Sequence, residues 1–428
     1  MTVPQGAALT IGAVLGTGVI ALPALAADIA GPASLLAWLL LIALSVPLAT
    51  TFAALGARYP DSGGVSTYVR RAFGAPAATV VGWCFFFGVA VGAPPAGMFA
   101  GAYVSSVFGG GRTTTLVTAG VLIVGVALTN ACGLRVSGRT QLALVGVLAV
   151  LLLVATVSAL PHADLANLQP FAPHGWWAIA PAAAVLVWGF AGWEAVTSLA
   201  GDYRDPAKDV PRATAIALVV VSVLYLGVAS AGVLVLGPGA GSTGAPLAEL
   251  LAIGVGGQVR VLTAVVAVLL TFGAMNSYFA GGAKLGAALG RDRALPSWLA
   301  HGSRAGEVPL RSLGVLSVIG TLGLLVVAVT GLSTHASVLL TTSAFVLVYV
   351  LGTAAAVRLL PRGTVAHWAA MVAFCCTLAL LAVTGVYVLG ALLVAAAALG
   401  YDRWQRRARA GEPDPQPDLD ADPDRVGC

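Results

Sequence analysis

The sequence predicts an all-α integral membrane protein of twelve transmembrane helices: two five-helix repeats of inverted orientation and two further spans, with helices 1 and 6 discontinuous. Three observations predict it. Of the 428 residues, 59% are hydrophobic and only 9% are charged, against about 25% charged in soluble domains, and the mean hydropathy is +0.95. Twelve windows stay apolar over the roughly 20 residues needed to cross a bilayer. The first and the sixth of these windows are interrupted by glycines, at Gly16-Thr17-Gly18-Val19-Ile20 and at Trp188-Gly189-Phe190-Ala191-Gly192-Trp193-Glu194.

The windows have approximate cores at 7–27, 34–56, 78–108, 114–131, 140–160, 177–200, 212–236, 259–288, 312–331, 335–357, 365–383 and 385–400. The first follows Met1-Thr2-Val3-Pro4-Gln5-Gly6, which lacks the basic segment of a secretory signal, so a retained helix is expected. An odd number of spans per repeat forces the inversion. It gives a first repeat over 1–165, a second over 166–360 and two terminal spans over 361–402. Very short turns at 330–333 and 384–385 join the last two pairs of spans. Beyond Tyr401 the chain is first basic (Arg403, Arg406, Arg407) and then acidic and proline-rich from Glu412 to Asp424. The basic part is expected to rest on anionic headgroups, and 403–428 to form a disordered cytoplasmic tail.

Lysine and arginine concentrate in cytoplasmic loops. With the N-terminus inside, all 22 basic residues except Arg112 and Arg260 fall on the inner side. A helix count wrong by one would destroy that asymmetry, so both termini are expected in the cytoplasm and the protein in the inner (plasma) membrane. The net charge of +5 does not point to a nucleic-acid partner, because the basic residues lie between spans and form no basic domain. The cysteines Cys84, Cys132, Cys375, Cys376 and Cys428 have no metal-ligand spacing and read as packing residues. The histidines stand alone, so neither a metal nor a cofactor is expected. A membrane enzyme would need a nucleophile or paired acids gathered near one face, and a channel filter a ring of carbonyls or charges; neither pattern occurs.

The two glycine interruptions carry the functional reading. In hydrocarbon, broken helix is tolerated only where it is buried in protein or lines a wet cavity. Two breaks at corresponding positions of two halves point to a carrier's substrate site. Close helix packing through small residues is the other reading of 16–18. Glu194 sits inside a span, where a charge costs about 2.5 to 3.5 kcal/mol or more unless paired, hydrated or protonated. It is expected to act in proton coupling, or else to tie two helices together.

Four stretches resemble one family. They are the first break; Arg58-Tyr59-Pro60-Asp61-Ser62-Gly63-Gly64 continuing to Gly74 between spans two and three; Trp188 through Glu194 with the loop Asp202-Tyr203-Arg204-Asp205-Pro206 to Arg212; and Gly290-Arg291-Asp292-Arg293-Ala294-Leu295-Pro296 after span eight. Together they resemble the amino acid, polyamine and organocation (APC) superfamily of transporters. The wording at 15–19 with Pro23, and Gly192-Trp193-Glu194-Ala195, is most similar to its bacterial exporters of methionine and branched-chain amino acids.

The resemblance implies the broken-helix APC fold and alternating access, with the lipid bilayer and a small amino acid as partners and a proton as coupling ion. Gly16, Thr17 and Gly18, with Val19 beside them, would take the substrate carboxylate. Trp188, Gly189, Phe190, Ala191 and Gly192 would take the ammonium and the side chain. A half-helix N-terminus offers free N–H groups and positive dipole, and a half-helix C-terminus offers carbonyls. Trp188 matches a gating aromatic of the arginine/agmatine exchangers, or is an aromatic buried between helices. Glu194 matches their pH-sensing glutamate. Apart from Glu194, the residues expected around the site, Met275 among them, bring no fixed charge, so a neutral apolar substrate is expected. Two departures matter. The acid often found at the end of span two is absent, since Ala53-Ala54-Leu55-Gly56 precede Arg58, and 140–160 has no lysine in place of sodium. Sodium dependence stays open.

Overall fold

The computed structural model describes residues 2–60, 64–133, 138–194, 200, 203–302 and 307–410. Among them the chain is helical with no strand, and the helices follow the apolar windows. Helix α1 (Val3–Leu15) begins with Pro4 in its first turn and with the Thr2 amide donating to Gln5 Oε1 at 3.1 Å. It ends at Gly16, where φ is +33° and ψ is −144°, a backbone setting that glycine supplies. A single 3₁₀ turn (Gly18–Ile20) leads into α2 (Leu22–Ala30), and Gly31 turns the chain into α3 (Ser34–Arg58). An amphipathic helix, α4 (Gly64–Phe73), precedes α5 (Ala75–Phe108), and α6 (Gly111–Ala131) and α7 (Gly138–Ala159) complete the first half.

The second half opens with α8 (Ile179–Phe190), which stops at the second break; residues 195–199, where the sixth span was expected to continue, lie outside the described residues. Then come α9 (Pro206–Leu236), the short α10 (Pro246–Gly254), α11 (Val259–Arg291), α12 (Leu310–Thr330), α13 (Thr334–Leu359), α14 (Val365–Val383) and α15 (Val388–Ala410). Among the described residues ten helical runs are long and apolar enough to cross a membrane, and Val3–Leu15 and Trp176–Phe190 are shorter apolar helices. The run Leu22–Arg58 has 37 residues, roughly 55 Å of helix at 1.5 Å per residue, and Gly31 divides it.

Burial sorts the helices into a centre and a shell. The apolar windows of α5 and α13 are 67% and 83% buried, against 17% and 11% for α14 and α15. On α6 the exposed side chains Val117, Val121, Val124 and Leu128 recur at helical spacing and form an apolar stripe. Such a stripe is stable facing lipid.

One expectation about the C-terminus is corrected. The basic stretch placed in a disordered tail continues α15 as far as Ala410, while 411–428 lie outside the described residues. The extension is held by pairs one turn apart: Arg406 Nε to Asp402 Oδ2 at 2.9 Å, and Gln405 Nε2 donating to Tyr401 Oη at 2.8 Å.

Candidate functional site

The two breaks lie against each other in the middle of the molecule, and glycine makes that possible. A Cβ on Gly18 would stand 2.9 Å from Trp188 Cδ1 and 3.1 Å from Gly189 Cα; one on Gly192 would stand 2.7 Å from the Ala13 carbonyl oxygen. The Tyr225 hydroxyl of α9 lies 2.6 Å from the Gly189 carbonyl oxygen and 2.9 Å from that of Val14, so it donates to one or the other half-helix end. Tyr103 of α5 donates to the Ile20 carbonyl at 2.5 Å and accepts the Leu247 amide at 3.2 Å, which fixes the far side of the first break. Trp188 Nε1 donates to Thr17 Oγ1 at 3.2 Å, one side chain from each break.

Beside them is a cavity walled by both breaks and by three neighbouring helices. The first helix and its break supply Ala13, Val14, Gly16, Thr17 and Gly18, and the second supplies Trp188 and Ala191. The other walls are Gly88, Val89, Gly92, Ala93 and Ala96 of α5, Ala274, Met275, Tyr278 and Phe279 of α11, and Thr341 and Phe345 of α13. None of the described lining residues carries a formal charge. Among the described residues the amide of Thr17, between α1 and the 3₁₀ turn, finds no backbone acceptor, which leaves a donor beside the cavity for an anionic group.

A broken-helix pair around an uncharged cavity suits a small zwitterion, and comparison with known proteins agrees. The family profile described as amino acid permease matches residues 2–402. The chain belongs to this family of the APC superfamily. The permease is therefore an integral protein of the cell membrane that carries a small amino acid, and its family is one of transporters and not of enzymes. It is 32% identical to the uncharacterized amino acid permease YecA of Bacillus subtilis, over 93% of this chain and 94% of that one. It is also 37% identical to the L-methionine/branched-chain amino acid exporter YjeH of Escherichia coli over 52% of this chain and 53% of that protein. The identity to the branched-chain amino acid permease BcaP of Bacillus subtilis is 30%, over 52% of each.

Within the permease, of the residues the sequence singled out, Gly16, Thr17, Gly18, Trp188, Ala191 and Met275 border the cavity. Val19 and Phe190 do not. Val19 is fully buried, and the Phe190 ring packs on Trp38 and Tyr225 with centroids 6.0 and 5.3 Å away. Gly189 and Gly192 contribute close approach instead of lining. Glu194 is 7% exposed and is also absent from the lining. Its Oε2 accepts the Gly192 amide at 2.9 Å and the Tyr349 hydroxyl at 2.5 Å, so the carboxyl group braces the second break against α13. In the loops that carry the resemblance, Asp205 pairs with Lys208 at 3.4 Å, Arg58 Nε donates to Tyr59 Oη at 3.3 Å, and Asp202 lies outside the described residues.

The walls from α5 and α13 were missed, and α11 was represented only by Met275. Small residues at 88, 92, 93 and 96 recur on one face of α5, a signal equally typical of plain helix packing. Asn276, next to Met275, gave no warning of its role either. Asn130 Nδ2 donates to Asn276 Oδ1 at 2.7 Å, a buried amide pair that anchors the cavity-lining helix α11 to α6.

Proposed function

We propose that this permease is a secondary active transporter of neutral apolar amino acids, namely methionine, leucine, isoleucine and valine, exporting them in exchange for protons by alternating access. The observation that carries the substrate class is the cavity lining, which has no charged side chain; a second charge buried there would go uncompensated. The backbone at 16–18 takes the substrate carboxylate. Trp188 and Ala191, with the backbone at 189–192, take the ammonium and side chain, and Glu194 couples the cycle to protons. In this reading the chain crosses the membrane twelve times, α1 with α2 and α8 with its continuation counting as broken spans. The two breaks, five spans apart, mark two inverted repeats, and the distribution of lysine and arginine puts both termini in the cytoplasm.

Export is favoured by the likeness to the Escherichia coli exporter. The likeness to the Bacillus subtilis branched-chain permease supports the second reading, an importer or exchanger with the same substrates. Counterflow in proteoliposomes with a panel of amino acids, repeated across an imposed pH gradient of each sign, tests both. Methionine and the branched-chain amino acids are expected to exchange, and an inward proton gradient to drive efflux. Preference for arginine or glutamate overturns the substrate class, and indifference to the gradient overturns proton coupling.

A further inference from the structure

Above the central cavity, towards the side assigned as outer, is a second cavity with about 680 Å³ of empty space. Its floor includes Phe99, whose ring meets Trp188 edge-on with centroids 5.6 Å apart. The two aromatics thus stand between the cavities. One wall is a face of α2, where Ala21, Ala24 and Leu25 line the space and the same helical spacing reaches the exposed Asp28. Gly241, another lining residue, abuts Asp28: a Cβ there would lie 2.6 Å from the Asp28 Cα. Opposite are Met98 and Ala102 of α5, and Arg112 and Thr115 of α6.

Arg112 is unusual among the basic residues. Only it and Arg260 fall in outer segments, and Arg260 is paired with Glu249 at 2.8 Å. Among the described residues Arg112 has no acidic partner within 4.0 Å and Asp28 no basic one, although His335 is near enough to feel the Asp28 charge. The guanidinium is nevertheless held in place. Its Nη2 donates to the carbonyls of Val327 at 2.7 Å and Leu332 at 3.3 Å, which leaves its remaining N–H groups free to meet an incoming acceptor. A positioned guanidinium and an apolar floor in one cavity, with Asp28 beside the lining residue Gly241 at its edge, match the three parts of a zwitterionic apolar amino acid.

We propose that this vestibule is a second binding site for the transported amino acid on its outer path, with Arg112 holding the carboxylate, Asp28 drawing the ammonium to the rim, and Leu25, Met98 and Phe99 receiving the side chain. The proposal rests on the substrate class and orientation given above. Because Arg112 is exposed, solvent screens the pair, and the site is weaker than the central one.

The test is the apparent KM for leucine measured separately at each face, in proteoliposomes whose orientation has been fixed by protease protection. Arg112→Gln is expected to raise the outer-face KM about tenfold, the order of one exposed charge-assisted contact, and to leave the inner-face KM unchanged. Asp28→Asn is expected to act in the same direction and by less. Equal effects at both faces would assign Arg112 to anchoring α12 alone and overturn the site, as would no effect at either. Wild-type protein that carries other amino acids but no apolar one overturns the substrate reading instead, and the same comparison of faces is then made with the amino acid it carries.

Discussion

The two breaks differ in how their backbone groups are satisfied. At the first, Tyr103 answers the carbonyl of Ile20, while the amide of Thr17 keeps no backbone acceptor among the described residues. At the second, the protein supplies the partners itself: Glu194 and Tyr349 meet the Gly192 amide, and Tyr225 meets the Gly189 carbonyl. A buried donor left unmade costs about 1–3 kcal/mol. A fold that leaves one beside a cavity is arranged for an outside acceptor, whereas one that answers it internally has built a brace. The comparison supports the proposal of anion binding at the first break and positioning at the second.

The harshest way to break the comparison is Gly18→Val. Gly18 is not one of the positive-φ glycines, so the objection to a side chain there is space: a Cβ would press on Leu22 Cδ1 at 2.8 Å and on Trp188 Cδ1 at 2.9 Å. Overpacking of this kind costs about 1–3 kcal/mol, which a large helical protein survives, but it pushes the two breaks apart. Loss of leucine counterflow in a variant that remains monodisperse in gel filtration is the expected result. Normal counterflow would show that the first break is only packing.

The next test concerns the brace. Glu194→Gln keeps an oxygen able to accept from Gly192 and Tyr349 but removes the ionisable group. Exchange of amino acid for amino acid should continue, while stimulation by a proton gradient should vanish; an unaltered gradient response removes Glu194 from coupling.

Trp188→Phe is expected to have a smaller effect. It keeps a ring against Phe99 and deletes the hydrogen bond to Thr17, worth about 1 kcal/mol and hence roughly a fivefold rise in KM. A titration of leucine counterflow measures it, and no change would mean that the link between the breaks is dispensable. The mildest expectation is for Met275→Ala, which enlarges the cavity opposite the first break. Discrimination by one or two methylenes is worth about 1–3 kcal/mol, so competition assays should show preference moving from methionine towards phenylalanine. Unchanged selectivity would return side-chain recognition to the second break.

Much of this was legible along the chain because local composition responds to the bilayer. Apolar runs, the one-sided arginines and the glycine pairs at 16–18 and 189–192 each reflect what the adjacent solvent or backbone requires of a segment, and such requirements are written where they apply. The helix beyond Tyr401 was missed since charge alone suggested a tail, whereas the Asp402–Arg406 and Tyr401–Gln405 pairs follow helical spacing.

The breaks and the presence of a buried acid were determined by the sequence itself. Which residues wall the cavity was decided by tertiary structure. Gly88, Gly92, Tyr278 and Phe345 have the composition of any packed membrane helix, and only the meeting of α5, α11 and α13 makes them a lining. The same holds for Phe190, which the chain places inside the second break and the fold turns onto Trp38 and Tyr225. Glu194 is the clearest case. An acid within an apolar span demands a partner, but Tyr349 is 155 residues away, and a requirement met at that distance leaves no local trace from which to choose among the tyrosines.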